Sequence, residues 1–337
     1  MFNRSNNIIF FLIIKISLIA LISNSYGNEG FNTWLNTCKS DALKKGISQE
    51  TIKIAFKNVK YLDQVIKYDR RQPEFYEDTI TYVSKRANDS RVKTAKKLLI
   101  KNQILFEDIE NKFSVEKEIL LALWGIETNF GKHVGKMDII SCLATLSFDK
   151  RRSKFFSAQL LTLLELIDAK LVNPDNLYGS WAGAYGNFQF MPSSIKTYAI
   201  DYNNDSKIEL KGSLEDSLAS AANYIKSIGW KKNQPCFFRV KLTKNLDNKF
   251  INTSARKISK YLSVNKWKKK GVVNFDGSNL SSDFTALDIT KAALIQPEGK
   301  PDTPAYLVFS NYEKILKWNR SLRFGISVCT LAEKIKT

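Results

Sequence analysis

The chain of 337 residues carries a single histidine, His133. One imidazole forbids a multi-histidine zinc site and leaves only one candidate base for a nucleophile triad. The four cysteines, Cys38, Cys142, Cys236 and Cys329, lie far apart, so no Cys-x-x-Cys metal or redox spacing exists. In an oxidising compartment they allow disulfides in several connectivities, and buried free thiols fit as well. The sequence has no internal repeat and no low-complexity tract, and no Leu-x-x-Cys box precedes Cys38, which argues against a lipid anchor there. Acids are scarce: 33 Asp and Glu stand against 52 Lys and Arg, for a formal charge of +19. With one histidine and no paired cysteine spacing, chemistry in this chain nonetheless has to run mainly on carboxylates.

What is present begins with a leader. Arg4 precedes an apolar stretch from Ile8 to Ile22, and Ser25 and Gly27 place small residues where a peptidase cuts. Residues 1–27 therefore read as a secretory signal and the mature chain is expected in the periplasm, with an uncleaved membrane anchor interrupted by Lys15 as the alternative. Removal takes Arg4 and Lys15 but no acid, so the chain stays basic. An exported basic protein meets anionic wall polymer or a membrane surface rather than nucleic acid. Scattered lysines also fit an ordinary solvated surface.

From Phe31 to about Phe113 the pattern is helical, with Phe31, Trp34, Leu35, Cys38 and Ala42 repeating at three and four and Gly46 and Pro73 as punctuation. A long basic helix is expected from Arg91 to Lys112, then Ser114 as an N-cap with Glu116 and Glu118 in the next first turn. Val115, Ile119, Ala122, Leu123 and Ile126 form that helix's apolar stripe, ended by Gly131. Glu127 falls in its last turn, beside the stripe and at the negative end of the helix dipole, and both disfavour its ionised form. A lone Glu there also fits a solvated surface charge.

After a helix from Phe155 to Lys170 comes a Gly-rich loop, GSWAGAYGNFQFMPSS, from Gly179 to Ser194. Its glycines let backbone approach a ligand; a ligand-free tight turn is the alternative. Ser213 and Asp216 then open a helix striped by Leu218, Ala221, Ala222, Ile225 and Ile228 and stopped by Gly229. From Cys236 to about Ile295 short apolar runs among Asn, Ser and Gly suggest small strands, after which helix returns.

GIETNFG (Gly125 to Gly131), ATLSFD (Ala144 to Asp149), the Gly-rich loop and ANYIKSIGW (Ala222 to Trp230) follow in one order, with QPEF (Gln72 to Phe75) before them and KWNRS (Lys317 to Ser321) after. Together they resemble the membrane-bound lytic murein transglycosylase B family. That resemblance implies an α+β, mostly helical fold: a lysozyme-like helical core with a helical N-terminal subdomain and a small β-rich insertion. The expected divisions are 28–113 for the N-terminal subdomain, 114–235 for the core, 236–300 for the β-rich part and 301–337 for the segment closing core and cleft. The implied reaction is cleavage of the N-acetylmuramic acid to N-acetylglucosamine bond of peptidoglycan strands, by transfer to the muramic C6 hydroxyl, giving 1,6-anhydro ends. Glu127 is the implied single acid and base. A water-using muramidase and a non-catalytic wall-binding scaffold are the alternatives.

The same resemblance assigns Ser180 and Gln189 to the substrate, and places Trp318, Asn319, Ser321 and Phe324 where the family has Tyr-Asn-x-Ser-x-x-Tyr along the cleft. Trp318 and Phe324 keep flat apolar faces for sugar but lose both phenols, and core packing is the alternative for Phe324. Tyr185 stands where the family usually has Met. No cofactor is required. A structural Ca²⁺ is implied for the loop offering Asp201, Asn203, Asp205, the Lys207 carbonyl and Glu215. Ser206 replaces the sharp-turn Gly and Gly212 occupies the usual bidentate position, so a polar loop of Asx turns stays open.

Overall fold

Asp138 opens the most deeply buried helix among the described residues: its carboxylate accepts from Ser141 N at 2.7 Å, and every residue from Ile139 to Ser147 is then buried. Capping one orphan amide lets such an apolar segment start cleanly. The computed structural model describes residues 29–72, 76–175, 177–280 and 291–337. The leader, Pro73 and most of QPEF lie outside the described residues. The fold is the mostly helical α+β one expected from the sequence, and it divides into two units between which the chain passes several times.

The first unit takes residues up to Arg70, Lys136–Ala184 and Met191–Ser193. It holds a helix at 29–44, then Gln49–Ala55, Asp63–Arg70, Ile139–Phe148 and Ser153–Asp168. The last of these starts two residues before the expected Phe155. A short antiparallel pair, β1 (Met137–Asp138) and β2 (Tyr178–Gly179), registers Met137 on Gly179. Phe31, Trp34, Tyr61 and Phe148 gather as an aromatic cluster with centroids 5.5–6.0 Å apart. The buried Asp69 is ion-paired by Arg70, Arg151 and Arg152, the multiple pairing that a desolvated carboxylate needs.

The second unit takes Arg71–Gly135, Tyr185–Phe190 and Ser194–Thr337. Two expectations about its first helices need correcting. The basic helix is broken in two, Asp89–Lys101 and Gln103–Phe113, because Asn102 turns both its amide and its side chain back onto Leu98 O and ends the first. Ser114 is not an N-cap; at φ 55° it is the left-handed C-cap of the preceding helix, and the next begins with Lys117 after Glu116. Glu116 is used elsewhere, accepting 2.6 Å bonds from Trp230 Nε1 and Asn233 N.

The helix Leu214–Ser227 starts on Ser213 as expected, whose hydroxyl accepts from Asp216 N at 3.1 Å. The β-rich stretch forms a five-stranded sheet in the order β4 (Ile251–Asn252), β6 (Ala293–Ile295), β7 (Ala305–Val308), β3 (Phe237–Leu242) and β5 (Val272–Asn274). Only β4 with β6 is parallel. One sheet face buries Val240, Val272, Leu294, Ala305 and Leu307 with the fully buried Trp267, whose indole N–H donates to Ala292 O at 2.8 Å. The connectivity the spacing left open is a single bridge, Cys236 to Cys329, tying the start of β3 to the last helix, Leu322–Lys336. Cys38 and Cys142 are free thiols, pushed up by burial to about 11 and about 12. Among the described residues no helix is long and apolar enough to cross a membrane.

Candidate active site

Glu127 lies one residue from the end of the helix Lys117–Thr128, half-buried, with Ile119 to Gly125 buried before it. The chain then curls through three consecutive left-handed residues, Asn129 (φ 50°), Phe130 (φ 59°) and Gly131 (φ 81°). A bulky residue in that region is strained, so neighbours must hold it. The Phe130 ring folds back over Gly125, where any Cβ would stand 2.7 Å from it, and packs edge-on to Trp124 at 5.7 Å. Gly125 is thus required for the turn that leaves Glu127 at the helix mouth. Arg91 closes the other side, its Nε donating to Gly125 O at 3.0 Å while Nη1 holds Lys85 O at 2.7 Å.

The second half of the Gly-rich loop, Tyr185–Phe190, belongs to the same unit. Tyr185 and Phe190 exchange backbone bonds of 2.9 Å, and Gly186 at φ 78° lets the chain pass Leu210 O where a Cβ would lie only 2.3 Å away. Asn187 is the joint that the sequence reading missed. It is buried, its Oδ1 accepts from Trp124 Nε1 at 3.2 Å, and its Nδ2 donates to Ser217 Oγ at 3.1 Å. Its carbonyl takes the Thr128 hydroxyl at 2.7 Å. One amide thereby fixes the end of the Glu127 helix to the loop and to the helix Leu214–Ser227.

Glu127 and Trp318 are brought together: the indole Nε1 donates to Glu127 Oε1 at 2.9 Å across 191 residues. Trp318 ends the helix Ser310–Trp318 and is set in an aromatic nest. It stacks on Tyr224 at 4.8 Å and 22°, Tyr224 stacks on Tyr198 at 4.2 Å and 6°, and Phe190 meets Trp318 edge-on at 5.4 Å. Burial, and then the neighbouring Tyr198, raise the Tyr224 hydroxyl above its ordinary range. Tyr224 sits in the ANYIKSIGW motif, so its presence was legible but not its partner.

Gln189 is half-buried at φ 50°, and its Nε2 donates to Val134 O at 3.1 Å and Gly186 O at 3.0 Å. Ser180 belongs to the first unit, where its Oγ accepts from Ala184 N at 3.0 Å and its amide donates to Ala184 O. Tyr185 is half-buried, its hydroxyl raised by burial and by Glu209. His133 is exposed in the turn after the Glu127 helix, its amide closing on Thr128 O.

The C-terminal motif divides. Asn319 caps the helix that Trp318 ends and is half-buried. Ser321 is buried, and its hydroxyl accepts from Phe324 N at 3.2 Å as the N-cap of the last helix. Phe324 is only 3% exposed, so the expectation that its ring lines a cleft is corrected to core packing. The cap turns the first helical turn inward and takes Phe324 with it.

In the loop expected to hold Ca²⁺ the oxygens are turned on the loop's own amides. Asp201 accepts from Asp205 N and Ser206 N, Asn203 from Asp205 N, and Asp205 from Lys207 N. Glu215 is exposed and meets Ser213 Oγ at 3.4 Å, whereas the buried Asp216 closes the loop by accepting from Tyr202 N and Glu209 N. Among the described residues no three His, Cys, Asp or Glu side chains gather to hold a metal. As arranged, these oxygens accept from the loop's own amides, which is the Asx-turn alternative.

Residues 30–333 match the Transglycosylase SLT domain. Membrane-bound lytic murein transglycosylase B of Escherichia coli (strain K12) is 35% identical over 203 residues, which are 56% of this chain and 55% of that protein, so the chain spans about half the length of that relative. Among solved structures, SltB3 from Pseudomonas aeruginosa in complex with NAG-anhNAM-pentapeptide superposes with a TM-score of 0.80 at 33% identity, covering 91% of this chain and 79% of that one. The lytic transglycosylase Slt35 of Escherichia coli in complex with calcium gives 0.73 at 25% identity, covering 92% and 93%.

Proposed function

Since this chain belongs to the membrane-bound lytic murein transglycosylase B family, we propose that it cleaves peptide-bearing cell-wall glycan between N-acetylmuramic acid and N-acetylglucosamine, with Glu127 as acid and then base. The observation that carries the reading is the Trp318 Nε1 to Glu127 Oε1 bond at 2.9 Å, in a half-buried, aromatic-walled place. An indole N–H only donates, so Oε1 is an acceptor whether the acid is protonated or not. The transferable proton is therefore carried on Oε2. Glu127 gives it to the glycosidic oxygen as the C1–O bond breaks. The substrate's acetamide oxygen supports the cationic C1, so a single carboxyl suffices. The Glu127 carboxylate then takes the proton of the muramic C6 hydroxyl, whose oxygen closes on C1 to give the 1,6-anhydro end.

Around that step the remaining roles follow from what each group has left to offer. Both Gln189 amide hydrogens are committed to backbone, so it presents its acceptor oxygen to a sugar hydroxyl. Ser180 Oγ already accepts, so it offers its proton to the substrate. Asn319 is left as the polar group of the C-terminal motif to serve the glycan, while Ser321 and Phe324 serve the fold. We take 114–235 as the catalytic core. No step is routed through a cation. The disulfide supports export to the periplasm under the leader at 1–27. Clearing of purified sacculi by the wild-type chain and not by Glu127→Gln tests the proposal; a variant that retains most activity removes Glu127 from it, and a wild type that binds without clearing points to a scaffold.

A further inference from the structure

Apart from the aromatic nest at Glu127, the second unit carries a cavity of about 780 Å³ at the five-stranded sheet, lined by β3, the turn after it and the loop before β7. Its charge is one-sided. Arg239, Lys241, Lys244 and Lys300 line it, all exposed, and against them the wall has one acid, Asp302. Asp276 lies close by, but its carboxylate is already turned on the Ser278 hydroxyl and amide, which together with the Lys241 charge hold it below the usual range. None of the four cations is in an ion pair with a described residue.

Two of them are held in place nonetheless. Arg239 and Lys241 alternate along β3, so both point to the same face. The Arg239 guanidinium lies 3.6 Å from the centre of the exposed Phe275 ring and the Lys241 ammonium 4.8 Å from it. Stacking orders these long side chains without consuming their charge, so less conformational entropy is lost when an anion arrives. A small apolar ligand wants an enclosed apolar cavity, which this is not. A fork of guanidinium and ammonium groups around a flat ring suits carboxylates on a flexible chain.

We propose that this groove binds the carboxylate-bearing peptides of the same glycan, holding the strand by its peptide while Glu127 acts on its sugar. The inference rests on the glycan reading above. An exported chain bridged between Cys236 and Cys329 meets wall carboxylates, whereas RNA, the other polyanion the charge would suit, belongs to another compartment.

The test measures binding, not cleavage, in the full chain carrying Glu127→Gln so that the strand stays intact. The probes are purified sacculi with their peptides and the same sacculi stripped of peptide by an amidase. At low salt the peptide-bearing sacculi should bind about tenfold more tightly, the sum expected of a few exposed charge pairs, and the preference should fade as salt rises. Adding Arg239→Gln, Lys241→Gln and Lys300→Gln should abolish the preference with the melting temperature unchanged. Lys241→Arg with Lys300→Arg should keep it. Equal affinity for the two sacculi, a neutralised groove that still prefers peptide, or RNA outcompeting the peptide-bearing sacculi would each overturn the proposal. Absence of anhydro products from the wild type, with peptide preference intact, would instead sink the catalytic reading and leave the groove standing.

Discussion

Trp318→Phe removes the indole N–H that reaches Glu127 Oε1 at 2.9 Å and leaves an aromatic ring on Tyr224. Hydrogen bonds to ionisable carboxyls contribute about 1.5 to 3 kcal/mol, which corresponds to a rate factor of roughly 10 to 150 if the whole bond is needed to aim the acid. Trp318 is half-buried, and water can replace part of what is lost, so the lower end applies: kcat should fall about tenfold. KM should change little, because an aromatic ring is kept on Tyr224. Trp318→Tyr, which restores a donor on a shorter arm, should fall between Phe and wild type. Trp318→Ala also loses the stacks on Tyr224 and Phe190, so it should weaken glycan binding and lower the melting temperature as well. The assay is initial release of soluble fragments from sacculi, with melting curves as a folding control. If Trp318→Phe keeps kcat within about twofold of wild type, the bond does not position the acid and the reasoning fails.

Phe324→Tyr should destabilise by about 1 to 3 kcal/mol, since it adds a hydroxyl to a ring 3% exposed, while leaving glycan affinity unchanged; a change in affinity without loss of melting temperature would return Phe324 to the cleft. Replacing both Cys236 and Cys329 by Ser opens a link across 93 residues and should lower the melting temperature by roughly 5 to 10 °C, read by calorimetry; an unchanged value would mean that the bridge does not constrain the unfolded chain. Adding Ca²⁺ or a chelator should leave the melting temperature where it is, because the acceptors of the 201–207 loop are engaged by its own amides; a rise with Ca²⁺ would show that the cation displaces them.

Local pattern carried much of this structure and long-range pairing very little. The stripe through Ile119 and Leu123 put Glu127 in a last turn, and Ser213 marked a helix start, because periodicity and caps are written in neighbouring residues. The break at Asn102 and the left-handed Ser114 were missed because both residues cap helices in either direction, and which way they turn depends on what packs beside them. Trp318 was read as a sugar platform, and that its N–H faces Glu127 could not be seen across 191 residues. Asn187 gave no signal at all beyond its place in the Gly-rich loop. Phe324 illustrates the limit of reading a motif by resemblance: the two flanking positions of one pattern end as a donor to Glu127 and a core ring.

The central claim is that Glu127 closes the muramic C6 hydroxyl onto C1 in place of water. Mass spectrometry of fragments released from purified sacculi reads this directly, because an anhydro end is lighter than a reducing end by one water. The wild-type chain should release anhydro-ended fragments throughout the time course, and Glu127→Gln should release none while melting at the same temperature. Fragments with reducing ends from the outset would make the enzyme a muramidase and contradict the account.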